Sequence, residues 1–152
     1  MKQLLSAIYY CYQNNVVHRD LKPENIMLED SKDKEPIIKL IDWGGVRYFS
    51  KHKKMIKVNG PLYNIEPEVL SEIYDEKCDI WSADVILYIL LYGYPPFNGG
   101  TNKDIMKVVK KGEFDFPKEE WEVVSNDAKD LIKIMLTYEP KKKTQCFRSF
   151  TT

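Results

Sequence analysis

The sequence predicts a single, mostly helical domain that carries a small β-hairpin. Its 152 residues are about the size of one domain, and 43% of them are hydrophobic, which is enough apolar material for one packed core. Several stretches repeat apolar residues at helical spacing, whereas only two short apolar runs have the character of strands. We therefore expect five or six helices, packed around a central buried one.

Composition and charge exclude several classes of protein. Lys and Arg number 23 and Asp and Glu also 23, so no overall charge favours nucleic acid or an anionic membrane as a partner. The longest apolar run, Val85 to Tyr94, is about half the length that a transmembrane helix needs. The three cysteines lack Cys-x-x-Cys spacing, so we expect neither a disulfide framework nor a zinc site, but a reducing, cytoplasmic setting.

The chain opens in a predicted helix, with Leu4, Leu5 and Ile8 at helical spacing. No targeting peptide is expected, because this pattern starts at once and no long unbroken apolar stretch follows. Asn14 marks the end of the helix, and Val16 to Asn25 has no period, which predicts a loop.

A β-hairpin and a long loop are predicted next. Ile26 to Leu28 and Ile37 to Ile41 are short apolar runs on either side of a charged segment, as in two paired strands. Asp42 to Pro67 shows no convincing helix or strand and is longer than ordinary loops in a compact domain. Loops of that length are usually functional.

Helical patterns dominate the second half. Lys77 to Tyr92 is apolar nearly all round, which predicts a buried central helix that ends at Gly93. Its later part, Val85 to Tyr92, is predicted to be core. A capping box from Thr101 to Asp104 opens another helix, and Ser125 caps the last one.

The residues most informative about function run from His18 to Asn25, HRDLKPEN, and are followed after the hairpin by Asp42-Trp43-Gly44. Phosphoryl transfer needs a carboxylate to orient a hydroxyl, a cation on the phosphate, and acidic and amide oxygens for Mg²⁺. These two motifs resemble the catalytic loop and the metal-binding turn of eukaryotic protein kinases.

The resemblance implies a role for each polar side chain. Asp20 and Lys22 would be catalytic: Asp20 would orient the substrate hydroxyl, and Lys22 would contact the phosphate of ATP. Asn25 and Asp42 would hold Mg²⁺.

Two more positions belong to the implied site. Glu24 resembles the residue with which many basophilic kinases bind an arginine upstream of the acceptor. Met27 matches the apolar floor under the adenine ring. The resemblance thus implies ATP and Mg²⁺ as cofactors, a protein substrate with basic residues before its Ser or Thr, and no nucleic-acid partner.

Further matches place the sequence in the calcium/calmodulin-dependent kinase group, where it looks most like the calcium-dependent protein kinases of plants and protists. The fold implied is the C-terminal lobe of a protein kinase over residues 1–143, followed by a divergent tail, 144–152. Asp79 would brace the backbone of the catalytic loop. The matching segments are Tyr63–Leu70, Tyr74–Ser82, Leu91–Phe97 and Ala128–Lys133.

Other parts of a kinase are absent from the sequence. None of its seven glycines forms a Gly-rich phosphate loop, and no strand lysine, helix glutamate or adenine hinge is recognisable. We therefore expect the N-terminal lobe to be a missing partner and the isolated chain to be inactive. No EF-hand loop is present either, so Ca²⁺ would act only indirectly, through a calmodulin-like domain outside this sequence.

Five positions depart from the kinase pattern. Pro61 replaces a threonine that would bridge Asp20 and Lys22, and proline offers neither a hydroxyl nor an N–H. The other departures are Glu66 for alanine, Asp84 for a glycine of the central helix, Lys143 for arginine, and Trp43 for a phenylalanine in an apolar slot. Two functions stay open: an active Ser/Thr kinase, or an impaired or truncated relative that serves as a binding lobe.

Simpler interpretations apply to three features. His18 is predicted to pack and hydrogen-bond without doing chemistry, in agreement with the resemblance. Lys51 to Lys57 is interpreted as a solvated basic run, and Cys78 as a small buried hydrophobic residue.

Overall fold

Five α-helices and two small antiparallel sheets make up the part of the chain that the computed structural model describes, residues 1–29, 35–50, 61–65 and 77–136. This content confirms the predicted mostly helical class with a small β element. A short helix lies at residues 118–121, where the sequence predicts none. The helices are α1 (Lys2–Gln13), α2 (Cys78–Tyr92), α3 (Asn102–Lys111), α4 (Lys118–Trp121) and α5 (Asn126–Met135).

The predicted hairpin is confirmed. β2 (Ile26–Glu29) pairs antiparallel with β3 (Ile37–Leu40), and Ile26 lies opposite Leu40. Gln3 of α1 attaches to this hairpin through its side-chain amide, which accepts the N–H of Ile38 at 2.9 Å. The hairpin is thereby held against the first helix, so the residues at its base have a fixed position.

A second sheet corrects two predictions. β1 (Val16–Val17) pairs with β4 (Arg47–Tyr48), although both segments are predicted as loop. Two residues are too few to show strand periodicity, and their hydrogen-bond partners lie far away in the sequence. This pairing joins the two ends of the segment that contains both predicted functional motifs.

The central helix α2 separates two hydrophobic clusters. Every residue from Cys78 to Ile86 is buried, as predicted, and Cys78 behaves as a small hydrophobic side chain at 7% exposure. Ile80 and Ile86 pack in one cluster with α1 and Leu21, whereas Trp81 joins an aromatic cluster with the later helices. Burial of each large apolar side chain contributes about 1.5–3 kcal/mol.

The end of α2 corrects the prediction that Val85 to Tyr92 is all core. Leu90 is 67% exposed and Leu91 39%, because they lie on the side of the last turn away from the aromatic cluster, which Ile89 and Tyr92 of the same turn contact. The helix ends as predicted at Gly93, which has φ 86°. A residue with a side chain would be strained there.

Both predicted helix caps are present. The Thr101 hydroxyl accepts the N–H of Asp104 at 3.3 Å and donates to its carboxylate at 2.6 Å. The Ser125 hydroxyl accepts the N–H of Ala128 at 3.2 Å. These bonds satisfy backbone donors that a helix start leaves without partners. In the described part of the chain, no helix combines the length and apolarity needed to cross a bilayer.

Candidate active site

The loop that contains Asp20 is fixed to the start of α2 by one buried carboxylate. Asp79 accepts the backbone N–H of His18 at 2.7 Å and that of Arg19 at 2.8 Å. Arg19 has φ 68°, a backbone conformation that is uncommon for a residue other than glycine. Burial raises the pKa of Asp79, and the two N–H donors act in the opposite direction. The prediction that Asp79 braces this loop is confirmed.

His18 ties the same loop to the hairpin. Its Nε2 lies 3.0 Å from the carbonyl oxygen of Ile41, and its Nδ1 lies 3.4 Å from the backbone nitrogen of Asp20. The tautomer with the proton on Nε2 satisfies both contacts, since Nδ1 then accepts. The ring is 1% exposed, which confirms a structural histidine.

Three of the predicted functional side chains converge. The Nζ of Lys22 lies 3.1 Å from Oδ2 of Asp20. The Nδ2 of Asn25 donates to the main-chain oxygen of Asp20 at 2.8 Å and to its Oδ2 at 3.3 Å. The other carboxylate oxygen, Oδ1 of Asp20, is buried and has no hydrogen-bond partner among the residues described. One oxygen is thus held in place by two donors, and the other is a buried acceptor without a donor among the residues described.

These residues line one open pocket of about 660 Å³. Its wall consists of Asp20, Lys22, Glu24, Asn25, Pro61 and Tyr63. Burial, together with the charge of Glu24, raises the pKa of Tyr63, so its hydroxyl stays protonated. The pocket therefore has two faces, one from the Asp20 loop and one from the turn that starts at Pro61.

Asp42 lies on the neighbouring turn and is not part of this wall. Its effect on the pocket is electrostatic. The hydrogen bond to Asp20 raises the pKa of Lys22 above its ordinary value, and the charges of Asp42 and Glu24 add to that shift. Asp42 has φ 60°, and a Cβ on Gly44 would lie 3.3 Å from its Oδ1. The glycine therefore leaves room for the carboxylate.

Met27 and Trp43 lie outside the pocket wall. Met27 is 55% exposed on β2. The prediction that Trp43 fills an apolar slot is wrong, because its ring is 41% exposed. Its indole N–H donates to the carbonyl of Leu40 at 3.0 Å, and its ring lies against that of His18, with centroids 4.7 Å apart and planes tilted by 58°. The indole is larger than a phenyl ring and has a polar N–H, which here reaches the main chain at the last residue of β3.

Three of the five positions that depart from the kinase pattern fall within the described residues: Trp43, Pro61 and Asp84. Pro61 lies on the pocket wall, and Asp84 is 0% exposed in α2, as predicted. Glu66, Lys143, the basic run at 51–57 and the tail at 144–152 lie outside the described residues.

Sequence reasoning missed one buried polar residue near the pocket. Asn64 is 3% exposed, and its Nδ2 donates to the carbonyl of Leu21. Its main-chain oxygen accepts the hydroxyl of Ser82 at 3.1 Å. The only signal in the sequence is an amide beside apolar and aromatic residues, a pattern that does not distinguish a buried junction from an exposed turn.

Comparison with known proteins identifies the class. The sequence profile of the protein kinase domain matches residues 1–150. The chain therefore belongs to the protein kinase domain family, whose members use ATP and Mg²⁺.

Its curated relatives include calcium-dependent protein kinases, which confirms the narrower resemblance. The chain is 52% identical to calcium-dependent protein kinase 5 of Plasmodium berghei over 143 residues, 94% of this chain and 25% of that protein. It is 54% identical to calcium-dependent protein kinase 4 of Plasmodium falciparum over 138 residues, 91% of this chain and 26% of that protein. The chain thus spans about a quarter of the length of these relatives.

Proposed function

We propose that this chain carries the phosphoryl-transfer residues of a serine/threonine protein kinase of the calcium-dependent type. The observation that supports this most strongly is the convergence of Asp20, Lys22 and Asn25 at one open pocket. A carboxylate, a cation and an amide at hydrogen-bond distance are the groups that transfer to a hydroxyl requires.

Asp20 orients the acceptor hydroxyl in this proposal. Lys22 and Asn25 hold its Oδ2, and Oδ1 is buried without a donor in the described structure. A serine or threonine hydroxyl that donates to the exposed part of this carboxylate, whose side chain is 18% exposed, would present its own lone pair to the phosphorus. Lys22 stays protonated and stabilises the negative charge of the phosphate being moved.

The donor set fits a magnesium nucleotide. The amide nitrogen of Asn25 is engaged by Asp20, so its amide oxygen is the atom suited to a cation. The exposed residue Asp42 follows Ile41, whose N–H donates to the main-chain oxygen of Asn25 at 3.0 Å. Mg²⁺ at nucleotide sites usually takes its other ligands from phosphates and water. ATP would supply the phosphoryl group, and Met27 would offer an apolar surface to its base.

A chimaera tests this function. It joins the chain to the segment that precedes the matched region in calcium-dependent protein kinase 4 of Plasmodium falciparum. We expect it to transfer labelled phosphate from ATP to serine and threonine in a basic peptide, and not to tyrosine. A folded chimaera that binds an ATP analogue but transfers no phosphate would contradict the proposal.

Glu24 is expected to select substrates with an upstream arginine. Glu24→Gln keeps the shape of this pocket residue and removes its charge. The side chain is exposed, so we expect the preference of the chimaera for arginine over alanine to fall only about two- to fivefold in kcat/KM.

The control for Glu24 is Glu29→Gln. Glu29 is an exposed carboxylate on β2 that pairs with Lys39 at 3.2 Å and does not line the pocket. Its removal should leave the arginine preference as it is. An equal loss of preference in both variants would show a general charge effect and reassign the arginine contact.

An impaired kinase is the second candidate, and Pro61 is the observation that favours it. This proline lies on the pocket wall, yet Oδ1 of Asp20 has no donor in the described part of the chain. Pro61→Thr would add a hydroxyl at that wall. A hydrogen bond to a charged group contributes about 1.5–3 kcal/mol, so kcat of the chimaera should rise about tenfold or more. Pro61→Ala removes the ring without adding the hydroxyl, and equal rates in the two variants would exclude this explanation.

A further inference from the structure

A buried amide connects the two faces of the pocket. Asn64 closes the turn that begins at Pro61, because its N–H donates to the Pro61 carbonyl at 2.9 Å. Its side-chain Nδ2 donates to the carbonyl of Leu21 in the catalytic loop. Its own carbonyl lies 3.1 Å from the hydroxyl of Ser82 in α2, which it shares as a donor with the carbonyl of Cys78, also at 3.1 Å. One residue thus binds the turn, the loop and the central helix.

The contact with the loop falls between the two side chains of the proposed chemistry. Leu21 separates Asp20 from Lys22 and is itself 1% exposed in the first hydrophobic cluster. The hydrogen bond to its carbonyl fixes the orientation of the peptide group that leads into Lys22. This peptide group connects the two residues whose side chains meet at 3.1 Å, Nζ of Lys22 and Oδ2 of Asp20.

We propose that Asn64 is a positioning residue, which sets the alignment of Asp20 and Lys22 with the turn that carries Pro61 and Tyr63. The inference rests on the proposed kinase function. Asn64 does not line the pocket, so it would act through the Leu21 peptide and not by contact with a substrate. Loss of its amide would leave the buried carbonyl of Leu21 without this donor and free the loop to shift.

The first test compares Asn64→Ala with a control of similar structural cost. Tyr88→Phe also removes one side-chain donor to a main-chain carbonyl, because the Tyr88 hydroxyl donates to the carbonyl of Asp115 at 2.8 Å. Tyr88 lies in the aromatic cluster and does not line the pocket. In the chimaera we expect Asn64→Ala to lower kcat about tenfold with the KM for ATP unchanged, and Tyr88→Phe to lower it less than twofold. Equal kcat values would overturn the inference.

The second test uses pH as a signature. In Asn64→Asp an ionised carboxylate would face the carbonyl of Leu21, and protonation would restore a donor to it. We expect kcat of this variant, relative to the unaltered chimaera, to rise as the pH falls from 8 to 6. Asn64→Ala should show no such recovery, and parallel profiles for the two variants would overturn the inference. If Asn64→Ala does not fold, the Asn64→Asp profile against the unaltered chimaera decides alone.

Hydrogen exchange separates this inference from the kinase proposal. The N–H of Asn25 donates to the carbonyl of Lys22 at 2.9 Å and reports on the order of the loop in the 152-residue chain itself. The exchange rate of this N–H should be at least five times higher in Asn64→Ala than in Tyr88→Phe. If Asn64→Ala speeds exchange as expected but the unaltered chimaera transfers no phosphate, the kinase function is refuted and the positioning role is not. Equal exchange in the two variants would refute the positioning role.

Discussion

Asp20→Asn is expected to lower kcat of the chimaera by about 10²–10⁴, the usual contribution of a general base. Asparagine keeps the size of the side chain and retains one acceptor oxygen. The amide nitrogen of asparagine cannot accept a hydrogen bond. It must face either the donors of Lys22 and Asn25 or the hydroxyl of the substrate, and each arrangement loses a hydrogen bond. The KM for ATP should change little, because the proposed contact is with the hydroxyl.

The measurement is steady-state phosphorylation of a serine peptide. Asp130→Asn is the matched control, since Asp130 is exposed on α5 and makes a surface pair with Lys133 at 3.2 Å. The control should retain full activity. An Asp20→Asn variant with more than a tenth of the unaltered kcat would show that Asp20 is not the residue that orients the hydroxyl.

Asp79→Ala is expected to lower the free energy of unfolding by about 2–5 kcal/mol, since it leaves two buried N–H groups without an acceptor at about 1–3 kcal/mol each. These groups belong to His18 and Arg19. Burial raises the pKa of Asp79, which shows that the folded protein disfavours its charge, so part of the loss is offset when the carboxylate is removed. Urea denaturation of the 152-residue chain measures the change.

Asp130→Ala again provides the comparison. It removes an exposed ion pair, worth about 0.2–1 kcal/mol. If Asp79→Ala costs no more than this control, the two backbone hydrogen bonds do not hold the loop, and the positions of Asp20 and Lys22 need another cause.

The sequence predicted the parts of the structure that depend on local signals. The capping residues Thr101 and Ser125 fix helix starts within a few residues, and the apolar pattern of α2 identifies the central helix. The HRDLKPEN motif and the turn at Asp42 predicted a convergence of four side chains. The structure brings together Asp20, Lys22 and Asn25, and Asp42 lies outside the pocket wall.

What the sequence could not predict depends on distant partners. Val16–Val17 forms a strand only because Arg47–Tyr48 lies beside it. Leu90 is as apolar as its neighbours in α2, but it lies on the side of the helix away from the cluster that Ile89 and Tyr92 contact. Asn64 shows no sign in the sequence that it reaches Leu21, since that contact requires the turn, the loop and α2 to be packed together.

In the proposed function, the residues at 20, 22, 25 and 42 surround one magnesium-bound phosphate. Paramagnetic broadening by Mn²⁺ in the presence of a non-hydrolysable ATP analogue tests it most directly in the chimaera. We expect the side-chain amide of Asn25 and the backbone amide of Asp42 to broaden first, and Asp42→Ala to abolish the effect. Broadening that spares both groups, or that persists in Asp42→Ala, would contradict the claim.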